Sequence, residues 1–149
     1  SRRSYNISII YRSCSCFDFL ETLIYLFNSL QTLYFRDEEI AKHLRLELED
    51  LFYRYKVDLT IWGHYHSYER THPVYREKNT ANAPTYIIVG TAGFVLEPFP
   101  WPYPTPEWSA YHAVHFGYGR VTVANRTSLL WEWVRNSDKK VRDRVWIHK

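Results

Sequence analysis

A helix-length apolar stripe that runs directly into an alternating strand constrains this chain more than any other feature. Ile40, Leu44, Leu48, Leu51, Phe52 and Tyr55 recur at helical spacing behind an acidic start, Asp37-Glu38-Glu39. Acidic residues in a first turn suit the positive end of a helix dipole, so the segment 37–56 is predicted to be one amphipathic helix. Its other side carries Lys42, His43, Arg45, Glu47, Glu49 and Asp50, a face expected to be solvated. Val57, Leu59 and Ile61 then alternate with Asp58, Thr60 and Trp62 up to Gly63, the period of two of a strand. Helix feeding strand is an α/β unit, and in such sheets ligands collect beyond the carboxyl ends of the strands. The residues placed there are His64, Tyr65 and His66.

Further along, Tyr86 to Val89 reads as a short buried strand stopping at Gly90-Thr91-Ala92-Gly93. The proline-rich stretch from Pro98 to Pro106 is expected to be irregular. Arg120 to Ala124, Leu129 to Val134 and Val141 to His148 follow with short turns between them, which predicts an antiparallel meander. Trp131 and Trp133 share one face of the middle strand and are expected in the core rather than as a sugar-binding platform. The fold class is therefore α/β (α+β), with one clear helix and about five to six strands. An aromatic share of 18% within a 46% hydrophobic chain agrees with strand-rich globular packing.

The formal charge of +3 is spread among interspersed signs, without the basic run that would track a phosphate backbone, so no nucleic-acid partner is expected. Thr22 to Phe35 is free of charge but shorter than the roughly 20 residues a spanning helix needs, so no membrane span is predicted. Asp18 and Glu21 at its entrance, with no small-residue cleavage site behind it, argue against a signal peptide. Cys14 and Cys16 are too close for an easy disulfide and offer half of a zinc site. The chain contains no Met and opens on Ser1, which predicts a fragment or a processed chain.

His64 and His66 are the sharpest chemical feature. In an extended loop, residues i and i+2 project to one side, and a Cβ spacing of about 7 Å suits two metals about 3.5–4 Å apart. The plain alternative is a pair of imidazoles that only hydrogen-bond within a loop. His112 and His115 lack neighbouring Cys or acidic residues and are expected to be ordinary surface histidines. Gly90 to Gly93 lacks the Lys and following helix of a phosphate-binding loop and is expected to be a strand-ending turn.

The block from Val57 to Tyr75, centred on Gly63-His64-Tyr65-His66 and continuing through Ser67-Tyr68-Glu69-Arg70, resembles the G-H-x-H block of purple acid phosphatases. Gly90-Thr91-Ala92-Gly93, Trp108-Ser109, Phe116-Gly117-Tyr118-Gly119, Asn125-Arg126-Thr127 and Val145-Trp146-Ile147 follow in that family's order. The resemblance covers residues 37–149, of which 37–83 is similar to the end of the catalytic domain and 84–149 to the carboxy-terminal segment of the long type. Residues 1–36 do not match and stay unassigned.

The resemblance implies the carboxy-terminal part of a metallophosphatase β-sandwich flanked by helices. It further implies hydrolysis of phosphate monoesters at a binuclear centre of Fe(III) with Zn(II), Mn(II) or Fe(II), in a secreted or lysosomal/vacuolar protein. Within it, His64 matches the ligand of the divalent metal and His66 that of the ferric ion. Glu69 and Arg70 are candidates for orienting those ligands, or for a structural ion pair that fixes the loop, and Asn125 is a candidate N-glycosylation site. The family's other ligands come from upstream blocks of the form D-x-G, G-D-x-x-Y, G-N-H-[ED] and V-x-x-H, none of which occurs upstream of His64 in this chain. A hard ferric ion needs carboxylate and phenolate oxygens, so the chain alone is expected to be inactive. The alternative reading is a non-catalytic remnant or β-rich binding module.

Overall fold

A computed structural model of the chain describes residues 3–6, 26–27, 38–63, 65–97 and 104–149. Cys14, Cys16, His64, residues 98–103 of the proline-rich stretch and all of the apolar run 22–35 except residues 26–27 lie outside them. The described elements, in chain order, are β1 (Arg3–Asn6), β2 (Leu26–Phe27), α1 (Glu38–Arg54), β3 (Leu59–Trp62), β4 (Tyr68–Thr71), β5 (Val74–Tyr75), β6 (Lys78–Asn79), β7 (Thr85–Val89), β8 (Ser109–Ala113), β9 (Gly117–Asn125), β10 (Ser128–Arg135) and β11 (Val141–His148).

Three layers result: α1, a mixed sheet of order β2-β3-β7-β4-β8, and an antiparallel sheet of order β1-β9-β10-β11. In the mixed sheet β2, β3 and β7 run parallel, while β4 pairs antiparallel with both β7 and β8. The expected meander is β9-β10-β11. The strand count exceeds the five to six expected because β4, β8 and the hairpin β5-β6 come from stretches without apolar alternation. Residues 1–36 supply an edge strand to each sheet.

Alternation along β3 explains the layering. Leu59 and Ile61 enter the core between the sheets with Tyr68 and Ile87, against Val121, Leu129, Trp131, Trp133 and Ile147. Trp131 and Trp133 thus lie in the core, and the Trp133 indole stacks on Tyr68 with ring centroids 4.6 Å apart. Thr60 and Trp62 point the other way, and the Trp62 indole N–H donates to Thr60 Oγ1 at 2.8 Å. Trp62 packs there with Phe52, Val57, Val74, Tyr86 and Trp108, joined by Leu44 and Leu48. Truncating Phe52 to Ala would remove the helix's main anchor and cost about 3–5 kcal/mol.

The helix departs from expectation on both faces. Leu51 and Tyr55, assigned to the buried stripe, are exposed. Glu49, assigned to the solvated face, is buried, and its Oε1 accepts the Arg76 backbone N–H at 2.7 Å. Asp50 accepts from the Tyr75 hydroxyl at 2.7 Å, Arg45 pairs with Glu77, and Tyr53 stacks on Tyr75 at 4.1 Å. The β5-β6 hairpin therefore docks on this part of α1. Its two turn residues, Arg76 and Glu77, both have positive φ, the backbone of a tight two-residue hairpin turn.

Candidate functional site

The site is built from two loops at the carboxyl ends of adjacent parallel strands, β3 and β7. After β3 the chain bends: the Tyr65 N–H donates to the Gly63 carbonyl at 3.0 Å, and residues 65–67 form a bend rather than the extended run expected from spacing. After β7, Gly90 approaches the first loop so closely that a Cβ there would lie 1.6 Å from the Tyr65 carbonyl oxygen. Only glycine fits. The Gly90 N–H donates to the Ser67 carbonyl at 3.1 Å, and the Glu97 N–H donates to the His66 carbonyl at 3.1 Å. The segment 90–97 is thus pinned at both ends to the His66 loop. Thr91 anchors it to the second sheet: its carbonyl accepts the Gly117 N–H, and its hydroxyl donates to the Gly117 carbonyl, both at 3.1 Å. Among the described residues the next element after Gly90 to Gly93 is β8, and the stretch is a strand-ending turn.

His66 is partly exposed, yet its Nδ1 is buried and has no hydrogen-bond partner among the described residues. The Phe94 ring meets the imidazole edge-on at 5.6 Å. Glu97 Oε1 lies 4.0 Å from Nδ1, and Glu97 Oε2 accepts the His66 backbone N–H at 3.4 Å. Sequence reasoning missed both neighbours. Glu97 is 31 residues from His66, and its only signal was a carboxylate shortly after a strand-ending glycine turn.

Glu69 and Arg70, adjacent in β4, project to opposite faces of the mixed sheet. Glu69 is buried and accepts from Ser109 Oγ at 2.5 Å. Arg70 reaches across the sandwich to Asp143 of β11, with Nε donating to Oδ2 at 2.7 Å and Nη2 to Oδ1 at 2.8 Å. The Tyr68 hydroxyl donates to the same carboxylate at 2.7 Å and accepts the Trp131 indole N–H at 2.9 Å. Burial pushes the Asp143 carboxyl up, but the Arg70 and Tyr68 hydrogen bonds outweigh it and hold the group below the usual carboxylate range. Burial, reinforced by Asp143, pushes the Tyr68 hydroxyl well above its ordinary value. Asn125 ends β9 at an exposed hairpin tip, where its Oδ1 accepts from the Thr127 N–H at 2.9 Å and from Thr127 Oγ1 at 3.2 Å. His112 and His115 are exposed, one on β8 and one just after it.

Among the described residues no group of three or more His, Cys, Asp or Glu could hold a metal ion. The partnerless His66 nitrogen offers one donor, but the described residues do not fit a complete binuclear centre.

A family model described as iron/zinc purple acid phosphatase-like protein C matches residues 83–144. The chain belongs to the purple acid phosphatase family, as its carboxy-terminal region. Probable purple acid phosphatase 20 of Arabidopsis thaliana is 38% identical over 74% of this chain and 26% of its own length. Human acid phosphatase type 7 is 42% identical over 67% of this chain and 25% of its own length. In three dimensions, the purple acid phosphatase PPD1 from yellow lupin (Lupinus luteus) seeds aligns with 68% of this chain and 19% of its own, with a TM-score of 0.58 and 29% identity. This purple acid phosphatase region thus spans about a quarter of the curated relatives it matches. No helix among the described residues is long and apolar enough to cross a membrane.

Proposed function

We propose that this chain forms the carboxy-terminal part of a metal-dependent acid phosphatase that hydrolyses phosphate monoesters, with His64 and His66 among the ligands of an iron-containing binuclear centre. The observation that carries this reading is the buried Nδ1 of His66, which has no hydrogen-bond partner among the described residues although it lies at the carboxyl end of a parallel strand. Buried polar atoms in proteins are nearly always satisfied; here Asp58 Oδ2 and Ser67 Oγ share the condition of His66 Nδ1, and of these His66 is the one with an imidazole nitrogen at the carboxyl end of the parallel strands. Membership of a family whose relatives are called acid phosphatases supports the same reading. Relatives of which the matched region makes up about a quarter have room upstream for the carboxylate and phenolate oxygens that iron needs. Secretion, or a lysosomal or vacuolar location, belongs to the proposal.

The test is a chimaera in which residues 38–149 replace the matching segment of probable purple acid phosphatase 20. Aryl phosphate turnover at acid pH and bound iron and zinc are measured on the chimaera and on the isolated chain. The chimaera should bind metal and turn over, and the isolated chain should do neither. His64→Ala and His66→Ala in the chimaera should each lose metal and at least about a hundredfold in turnover, the loss typical of removing a catalytic group. Metal-dependent turnover by the isolated chain, or an undiminished double variant, would overturn the assignment.

The lack of any three-member metal-binding group among the described residues favours a second reading, a non-catalytic β-rich module. A folded chimaera without metal would support that reading instead.

A further inference from the structure

We propose that the β5-β6 hairpin is a pH-gated clasp on α1, gripped most tightly within an acid window and loosened on either side of it. The inference stands apart from the phosphatase reading and uses no residue of the His66 loop.

Two neighbouring carboxylates of α1 hold the same turn in opposite ways. Glu49 is 5% exposed. On its own helix it has Asp50 beside it and Arg45 and Tyr53 one turn to either side. Tyr75, Arg76 and Glu77 face it from the hairpin, and the Tyr86 hydroxyl faces it from β7. Its burial therefore arises within this chain. Glu49 Oε1 accepts the Arg76 backbone N–H at 2.7 Å, a bond that a protonated carboxyl can still accept through its carbonyl oxygen. Neutralising Glu49 thus keeps the bond and removes the cost of a buried charge. Burial pushes this carboxyl up, the Asp50 and Glu77 charges add to the rise, and the Arg76 amide and guanidinium only partly offset it.

Asp50 grips through its charge. Its Oδ1 accepts the Tyr75 hydroxyl at 2.7 Å, and both its oxygens lie 3.3 Å from Arg76 Nη2. The Tyr75 hydrogen bond, with the Arg76 and Arg54 charges behind it, holds Asp50 below its ordinary value.

The turn depends on these contacts. Arg76 and Glu77 have φ of +50° and +60°, where side chains are disfavoured and a two-residue turn prefers Asn-Gly or Asp-Gly. Such a conformation persists when its surroundings over-determine it. The hairpin also lies in the chain between β4 and β7, which pair with each other, so its docking ties their connection to the helix.

Glu49, raised when docked, contributes fully below its undocked value, and the contribution is lost as pH rises through the raised one. Asp50, depressed when docked, contributes above its undocked value and is lost as pH falls through the depressed one. The window between them spans the ordinary carboxylate range, about 3.9–4.3.

The experiment is amide hydrogen exchange on the full chain, read as the protection factor of the Arg76 N–H divided by that of the Gly117 N–H. The Gly117 amide donates to the Thr91 carbonyl and reports opening of the sandwich. From pH 7 to about 4.5 the ratio should rise severalfold, and well below about 3.9 it should fall again. Glu49→Gln, neutral at every pH, should already show at pH 7 the ratio its parent reaches in acid. Asp50→Asn should lower the ratio and abolish the fall in acid. A parent ratio that is flat or declines steadily from pH 7 overturns the proposal. So does a Glu49→Gln ratio below the parent's at pH 7, which would make the Glu49 charge the grip, or an Asp50→Asn variant that keeps the acid fall. If Glu49→Gln does not fold, the parent's profile and that of Asp50→Asn decide.

Discussion

The α-carbon of Gly90 faces the carbonyl oxygen of Tyr65 with no room for a methyl group between them. Two loops separated by 25 positions in sequence thereby touch backbone to backbone at the end of the parallel strands.

Gly90→Ala should therefore destabilise the chain by about 3 kcal/mol, the upper range for overpacking, because backbone atoms cannot rotate out of the way. Gly63→Ala is the control, since a Cβ there meets nothing within 4 Å. Denaturant midpoints should fall for the first and stay nearly unchanged for the second. Equal midpoints would show that the loops are not in contact in solution.

Asp143→Asn leaves Arg70 buried without its counter-charge and should cost about 3–5 kcal/mol. Replacing both partners with apolar residues of similar size, Arg70→Met with Asp143→Leu, should recover part of that loss. A double variant as unstable as the single one would mean that the pair is not the main interaction at this point.

The same pair has a pH signature. A carboxyl held below its unfolded value contributes stability above that value, about 3.9 for Asp, and loses it as pH falls through the lower folded value. Comparing unfolding free energies of the parent and Asp143→Asn across pH, the gap should be full above about pH 5 and shrink below about pH 4. The clamp thus survives in mildly acid conditions. A gap that closed between pH 6 and 8 would contradict the assignment.

A Cβ on Gly119 would lie 2.1 Å from the Trp131 indole and others of its atoms would be within 2.8 Å. Gly119→Ala should cost about 1–3 kcal/mol and shift the near-ultraviolet dichroism of the packed tryptophans. An unchanged spectrum would place the Trp131 ring elsewhere.

Asn125 lies exposed at the tip of the β9-β10 hairpin. Passed through a secretory pathway, the chain should carry glycan mass at Asn125 that Asn125→Gln and Thr127→Ala both remove. Mass spectrometry showing an unmodified Asn125 in the secreted protein would refute this.

The helix and the β9-β10-β11 meander were legible because their apolar residues keep the period of their backbone. Strand β4 was not, since Tyr68-Glu69-Arg70-Thr71 shows no apolar alternation. It is a strand because Tyr68 and Arg70 find Asp143 while Glu69 finds Ser109, partners that lie 40 to 75 residues away. Leu51 and Tyr55 were misplaced because a stripe at helical spacing is wider than the groove that receives Leu44, Leu48 and Phe52. At the site, the order of residues located His66 beyond β3. Phe94 and Glu97 could not be placed beside it without knowing that β7 lies parallel to β3.

The reach of Arg70 to Asp143 also imposes an order of events on synthesis. Strand β4 directly follows the His66 loop, yet its anchoring carboxylate is encoded 73 residues later. While the ribosome is still translating the intervening segment, the Arg70 guanidinium and the Tyr68 hydroxyl lack the carboxylate they bind in the finished sandwich. Loop closure over such a span is slow compared with local helix formation, so α1 can form early. The Arg70–Tyr68–Asp143 clamp closes only after β11 has emerged.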